Sequence, residues 1–245
     1  MKILGLDSSG LVASVALVED GRLVAEYTTN YKKTHSQTLL PMLDELRRMV
    51  ELDMNSIDAV ATSSGPGSFT GLRIGAATAK GLGLALKKPL VEVPTLEGLA
   101  YNLCGTERLV CPLMDARRNQ VYTGVYEFVT KGQDFALHGV IEQCAADIND
   151  MIDRINALGR AVIFLGDGVP VYREVILQRT KVPFGFAPAN NNCQRAASVA
   201  ALGAVYFAKG RTVSAAKHQP EYLRKSQAER EREEADNRQQ ITDSR

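Results

Sequence analysis

The apolar positions near the start of the chain fall in short runs. Ile3-Leu4-Gly5-Leu6 ends in Asp7, Val12 to Val18 closes on Glu19-Asp20-Gly21, and Leu23 to Thr29 follows. Runs of this length, bounded by turn residues, predict three strands joined as an antiparallel meander. From Ser36 the period lengthens. Leu39, Leu43, Leu46 and Val50 fall three or four apart, with Leu40, Met42 and Met49 widening the stripe. This spacing predicts a helix over 36–52, capped by Ser36 or Thr38, with Pro41 near its first turn or at a kink.

A strand from Ile57 to Thr62 leads into the Gly-rich loop Ser63–Gly71 and a second helix over 70–86. A strand from Pro89 to Val93 and a helix from Thr95 to Leu103 come next. The second half begins alike, with Leu109 to Asp115, Val121 to Val129 and a strand near Phe135 to Ile141. A helix over 145–158, a strand from Ala161 to Leu165 and the loop Gly166-Asp167-Gly168 complete the pattern. A strand ending in an acid occurs at Asp7 and Asp115, and a strand entering a Gly-rich loop at Gly65 and Gly166. The recurrence predicts a duplicated α/β unit, each half a mixed sheet flanked by helices. The halves are expected over 1–103 and 104–220, with a small-residue helix over 194–209 able to pack back on the first. The charged tail over 221–245 is either solvated or orders against a partner.

A chain of 245 residues, 45% hydrophobic and 23% charged, suits one large globular domain or two modest ones. Its longest uncharged run, Ala59 to Leu72, is too polar and Gly-rich to span a bilayer, and Asp7 interrupts any secretory signal. A cytoplasmic protein without membrane association is expected. Lys plus Arg, 29 in all, nearly balance 28 Asp plus Glu, so no whole-chain basic field exists to capture nucleic acid. Lys32, Lys33, Arg117 and Arg118 leave room for a local patch. The four cysteines lack metal spacing, and His35, His138 and His218 are scattered, so no metal site is expected.

Asp7, Ser8 and Ser9, facing Asp115 across a cleft with Gly166, Asp167 and Gly168, are candidates for holding ATP or ADP with Mg. The alternative is that both acids cap their own turns. The loop at Gly65–Gly71 lacks the Lys-Ser/Thr ending of a Walker loop. His35 is expected to make a local hydrogen bond. No Ser-His-Asp order and no Gly-x-Ser-x-Gly elbow is present, which argues for binding rather than catalysis.

The second helix carries the sharper signal. Gly71, Gly75, Ala79 and Gly83 are spaced by four, and each glycine inside a helix costs about 1 kcal/mol relative to alanine. Close approach by another element would offset that cost. The other faces carry Leu72, Ile74, Leu82, Leu84 and Leu86. A partner surface is therefore expected on Leu39, Leu43, Leu46, Met49, Val50, Gly71, Leu72, Gly75, Ala79, Leu82 and Gly83. The alternative is that the two helices only cover each other.

ILGLDSS from Ile3, HSQTLLP from His35 and SSGPGSFTGLRIGAATAKGLG from Ser63 resemble the TsaB family, as do VPTLEGLA from Val93, DARRNQVYTGVY from Asp115 and PEYLRKSQAERE from Pro220. These are bacterial biosynthesis proteins for the tRNA nucleoside threonylcarbamoyladenosine. The resemblance implies an actin-like ATPase (ribonuclease H-like) fold, and a relative, TsaD, which holds a metal through two histidines and transfers the threonylcarbamoyl group. Thr95 and Leu99 stand at those two positions here, and neither can replace an imidazole. The resemblance therefore implies a non-catalytic partner and activator of TsaD, acting beside the anticodon of tRNAs that read ANN codons. The two helices would join TsaD's in a four-helix bundle, with TsaE as third member and tRNA met only through the complex. Without TsaD, the same surface would form a homodimer. The rivals are a kinase-like ATPase, a metallopeptidase-like protein and a direct RNA-binding module.

Overall fold

In the computed structural model, which describes residues 1–31 and 34–224, the chain opens with β1 (Lys2–Asp7), β2 (Ala13–Glu19) and β3 (Arg22–Thr29). Then come α1 (His35–Met49), β4 (Ala59–Gly65), α2 (Phe69–Leu86), β5 (Leu90–Pro94) and α3 (Thr95–Ala100). The meander pairs antiparallel and β4 and β5 add in parallel, giving the order β3-β2-β1-β4-β5. The second half supplies β6 (Leu109–Asp115), β7 (Gln120–Lys131), β8 (Asp134–Asp147) and α4 (Ile148–Leu158). It continues with β9 (Val162–Leu165), α5 (Gly168–Arg179), β10 (Phe184–Phe186) and α6 (Ala196–Ala208). Its sheet runs β8-β7-β6-β9-β10. Each sheet thus sets a three-strand meander beside two parallel strands, with the same succession of helices. Two matched halves of this kind are the actin-like, ribonuclease H-like fold.

The alternation along β1 divides the first core. Leu4 and Leu6 face α1 and α2 with Leu39, Leu43, Leu46 and Ala79, whereas Ile3 faces α6 with Val199, Ala200 and Leu202. Helix α6 comes last in the chain yet covers the first sheet. Small residues permit that, since a Cβ on Gly203 would stand 2.5 Å from Ala61 and one on Gly5 2.8 Å from Ala200. Leu96, Leu99, Val110, Tyr126 and Leu165 join the two halves.

Local differences from the predicted elements have local causes. Strand β8 extends through Asp147 because Cys144, Ala145 and Ala146 pair with Thr123, Tyr122 and Val121, so α4 starts three residues later than the predicted helix. Asp147 caps it by accepting from the Asn149 amide at 2.8 Å. Helix α1 begins at His35, neither Ser36 nor Thr38 caps it, and Pro41 lies inside it on the exposed side. The Thr95 hydroxyl accepts from the Gly65 amide at 3.1 Å instead of capping α3. Helix α5 and strand β10 are not among the predicted elements.

The glycine face of α2 turns inward, which corrects the expected partner surface. Ser8 Oγ donates to the Gly71 carbonyl at 2.9 Å, and a Cβ on Gly71 would run into the Ser8 carbonyl. One on Gly75 would stand 2.6 Å from Ser8 Oγ, and one on Gly83 would stand 2.9 Å from Leu90. Leu39, Leu43, Leu46, Leu72 and Ala79 are buried against the chain itself. Of the residues expected to meet a partner, only Met49, Val50 and Leu82 keep exposed surface. The stripe exists so that α2 can seat its first turns on the β1–β2 turn. Gly75→Leu is therefore expected to destabilise the isolated chain by about 2–3 kcal/mol through overpacking. Urea unfolding measures it, and an unchanged midpoint would contradict the packing.

Candidate functional site

With one face of α2 committed to the sheet, its opposite face carries Ala77, Gly81, Leu84 and Ala85, all exposed, at spacings of four, seven and eight. Leu84 is 65% exposed. A Cβ on Gly81 would meet nothing within 4 Å, so nothing among the described residues explains a glycine there. Alongside, the outer face of α1 shows Leu40, 54% exposed, followed by Asp44, Arg47 and Arg48. Those charges pair among themselves, Arg48 with both Asp44 and Glu45. Together the two faces form a small-residue apolar strip beside a charged rim. Met49 is exposed but lies nearly half a turn around α1 from Leu40, at about 100° per residue.

A cleft of about 650 Å³ separates the halves, lined by Ser9, Gly10, His35, Ser68 and Thr70 on one wall and Asp115, Arg117, Tyr122 and Asp167 on the other. The sequence candidates divide sharply here. Asp7 is buried beneath the turn. Its Oδ1 accepts from the Ser9 amide at 2.8 Å and the Ser9 hydroxyl at 2.7 Å, and its Oδ2 accepts from Ser63 Oγ at 2.6 Å. Burial pushes this carboxyl up, and the bonds from Ser63 and Ser9 pull it back. Ser8 is committed to Gly71, and only Ser9 reaches the cleft. The expectation that Asp7 and Ser8 face phosphates is corrected, because their polar atoms are consumed inside the fold.

Gly166 and Gly168 also serve the fold. The Gly166 amide donates to the Asn192 carbonyl at 2.8 Å, and a Cβ on Gly168 would stand 3.0 Å from the Leu113 carbonyl. Asp115 does face the cleft, yet it accepts from the Arg117 amide at 2.9 Å and from Tyr172 Oη at 3.3 Å, and it pairs with the Arg117 guanidinium at 3.3 Å. The turn that brings Arg117 back has left-handed backbone at Arg117, Arg118 and Asn119. Asp167 Oδ1 is buried with no hydrogen-bond partner among the described residues. Burial, helped by the charge of Asp115, pushes its carboxyl up to about 6. Mg and nucleotide phosphates do not fit this arrangement in the way the fold implies, since Asp7 and Ser8 are bonded inside the fold and Asp115 is paired with Arg117.

His35 reaches further than expected, donating from Nε2 to the Gly10 carbonyl at 2.9 Å and so fixing the start of α1 to the β1–β2 turn. Thr95 and Leu99 are buried, and among the described residues no group of three or more His, Cys, Asp or Glu suits a metal. Lys32, Lys33 and the tail beyond Arg224 lie outside the described residues. Glu221 to Arg224, the described part of the tail expected to be either solvated or ordered against a partner, touch the chain itself. The single aromatic Tyr222 in that charged stretch could have signalled this.

The Asp167 carboxyl gives up its proton near pH 4 when unfolded and near 6 in the fold, so the fold holds the extra proton between those values. Stability contributed by this group is full at low pH and falls as pH rises through that window. Asp167→Asn should therefore stabilise the chain at pH 7.5 by about 1–2 kcal/mol and leave it unchanged at pH 3.5. Urea titrations at the two pH values test this, and an equal effect at both would refute it.

A family model described as "TsaD: tRNA N6-adenosine threonylcarbamoyltransferase" matches residues 22–232. The tRNA threonylcarbamoyladenosine biosynthesis protein TsaB of Bacillus subtilis (strain 168) is 34% identical over 83% of this chain and 87% of its own length. A tRNA N6-adenosine threonylcarbamoyltransferase of Syntrophobacter fumaroxidans is 29% identical over 65% of this chain and 52% of its own length. The solved structure of YeaZ from Pseudomonas aeruginosa superposes with a TM-score of 0.76 at 28% identity, covering 91% of this chain and 99% of that one. The matched fold, the length of the match and the level of identity agree: the chain belongs to the TsaB family.

Proposed function

We propose that this chain serves threonylcarbamoyladenosine formation in tRNA as a docking and activating subunit of a TsaD-type transferase, not as the transferase. The observation that carries the reading is the outward series Ala77–Gly81–Ala85, flanked by Leu84 and Leu40. Glycine in a helix interior costs about 1 kcal/mol, and close approach by a second helix would offset it. The family match supports a relative of the same fold as the source of that helix, with two helices from each subunit forming a four-helix bundle. In the full proposal the modified adenosine lies beside the anticodon of ANN-reading tRNAs. TsaE joins as a third member, and tRNA is met through the complex. In the absence of TsaD the strip pairs with its own copy about a two-fold axis. A cytoplasmic setting fits, and among the described residues no helix is long and apolar enough to cross a membrane.

The buried Thr95 and Leu99 support a role without metal-centred transfer, and the closed Asp7 supports a role without a nucleotide held through that residue. Reconstitution tests the proposal. Purified TsaD should modify tRNA only in the presence of this chain, and equal activity without it would end the reading. Gly81→Arg should weaken pairing about 30-fold or more, as loss of a central contact does, while leaving the chain folded. Gly81→Ala should instead stabilise the isolated chain by about 0.5–1 kcal/mol. Wild-type pairing by Gly81→Arg in sedimentation and pull-down would place the partner surface elsewhere.

A further inference from the structure

We propose that residues His218–Arg224 form a clasp that ties the two halves of the molecule across the lip of the cleft and holds its width. The inference goes beyond the docking reading and stands whether or not a second subunit covers α1 and α2. The clasp is anchored at its base by His218, fully buried, whose Nδ1 lies 2.7 Å from Glu92 Oε1 on β5. Three residues on, the Glu221 amide donates to the Ser64 carbonyl at 2.6 Å, at the end of β4. The approach there is backbone to backbone. Gly65 has φ +118, and a Cβ on it would run into the Glu221 carbonyl, so a side chain at that position would push the clasp away.

From this point the segment reaches both halves. The Tyr222 ring packs on Phe69 with centroids 4.8 Å apart, and Arg73 covers Phe69 with its guanidinium 3.9 Å from the ring centroid. Phe69 is the first residue of α2, so this stack belongs to the first half. The second half is held twice. Gln143 Nε2 on β8 donates to Glu221 Oε2 at 3.0 Å, and Arg224 Nη1 donates to the Ala116 carbonyl at 2.6 Å.

Ala116 lines the cleft from one side, and Gly67 and Ser68, between Ser64 and Phe69, line it from the other. Three residues within a stretch of four, Glu221, Tyr222 and Arg224, therefore hold the two opposing lips. Rotation of the halves that widens the cleft must break the Arg224–Ala116 and Glu221–Gln143 bonds, or lift the segment from Ser64 and Phe69. A charge-assisted bond to a backbone carbonyl and an aromatic stack are each worth more than an ordinary surface contact.

The test uses the full chain carrying Tyr222→Ala together with Arg224→Ala. Amide exchange is followed by mass spectrometry and overall dimensions by solution X-ray scattering. With the clasp released, exchange should quicken about tenfold in peptides from both lips, Ser63–Gly71 and Ala116–Val121, while β1 and α6 stay protected. The radius of gyration should rise as the halves separate. Faster exchange confined to Glu221–Arg224, or unchanged dimensions, would overturn the proposal. Should the double variant fail to fold, Arg224→Met alone decides. Quickened exchange at Ala116–Val121 with an increased radius sustains the clasp, and wild-type values for either remove it.

Discussion

The seating of α2 on the turn between β1 and β2 governs the rest of the molecule. Ser8 sits beneath the helix with its hydroxyl on the Gly71 carbonyl, and Gly75 leaves room for that hydroxyl. The Ser68 amide reaches back to the Ser9 carbonyl at 2.7 Å, closing the entry to the helix on the same turn. Asp7, just before, is enclosed by Ser9 and Ser63. In a fold whose first strand ends in an acid at the cleft, this seating withdraws the acid from the cleft. The same contact fixes the rotation of α2 about its axis. Once Gly71, Gly75 and Gly83 must face the sheet, Ala77, Gly81 and Ala85 must face away.

The enclosure of Asp7 and the outward turn of the Ala77–Gly81–Ala85 face are thus two results of one packing arrangement. A buried carboxylate that accepts three hydrogen bonds, with both oxygens engaged, is a structural element, stabilising the turn against the cost of its own burial. The remaining cleft acids sit in different surroundings. Asp115 is shared between Arg117 and Tyr172, and Asp167 holds its proton up to about pH 6 because burial disfavours its charge. What the first half presents to the outside is a helix face of minimal relief, where another backbone can approach closely.

Much of the architecture is legible in the sequence. The repeated strand–acid and strand–glycine patterns predict the duplication, and the sheet orders bear it out. Helix α5 is hidden from pattern reading although Val169, Tyr172 and Ile176 are buried at helical spacing, because Gly168-Val169-Pro170 opens it with loop-like residues. Strand β10 has three residues, too few for any period. The direction of the glycine stripe is beyond reach for a different reason. Two series on α2, one through Gly71, Gly75 and Gly83 and one through Ala77, Gly81 and Ala85, share the same spacing of four. Spacing assigns residues to a common face without saying which face meets the sheet. Likewise, the closure of Asp7 depends on Ser63, a residue brought near only by the pairing of β1 with β4.

The duplication also provides an internal comparison that sharpens the meaning of the outer strip. Helices α4 and α5 hold in the second half the places of α1 and α2 in the first. Helix α5 comes after its own strand and Gly-rich loop, yet beyond Gly168 its sequence contains neither glycine nor alanine. Its exposed apolar residues, Val171 and Leu177, stand among Arg173, Glu174 and Gln178, all exposed. Both helices satisfy the same internal demand, to pack one face on a sheet. Only α2 carries small residues on the face that this demand leaves free. Packing within the fold applies to both helices and the outer series occurs in one, so internal packing does not account for that series, which is the asymmetry the proposed docking role draws on.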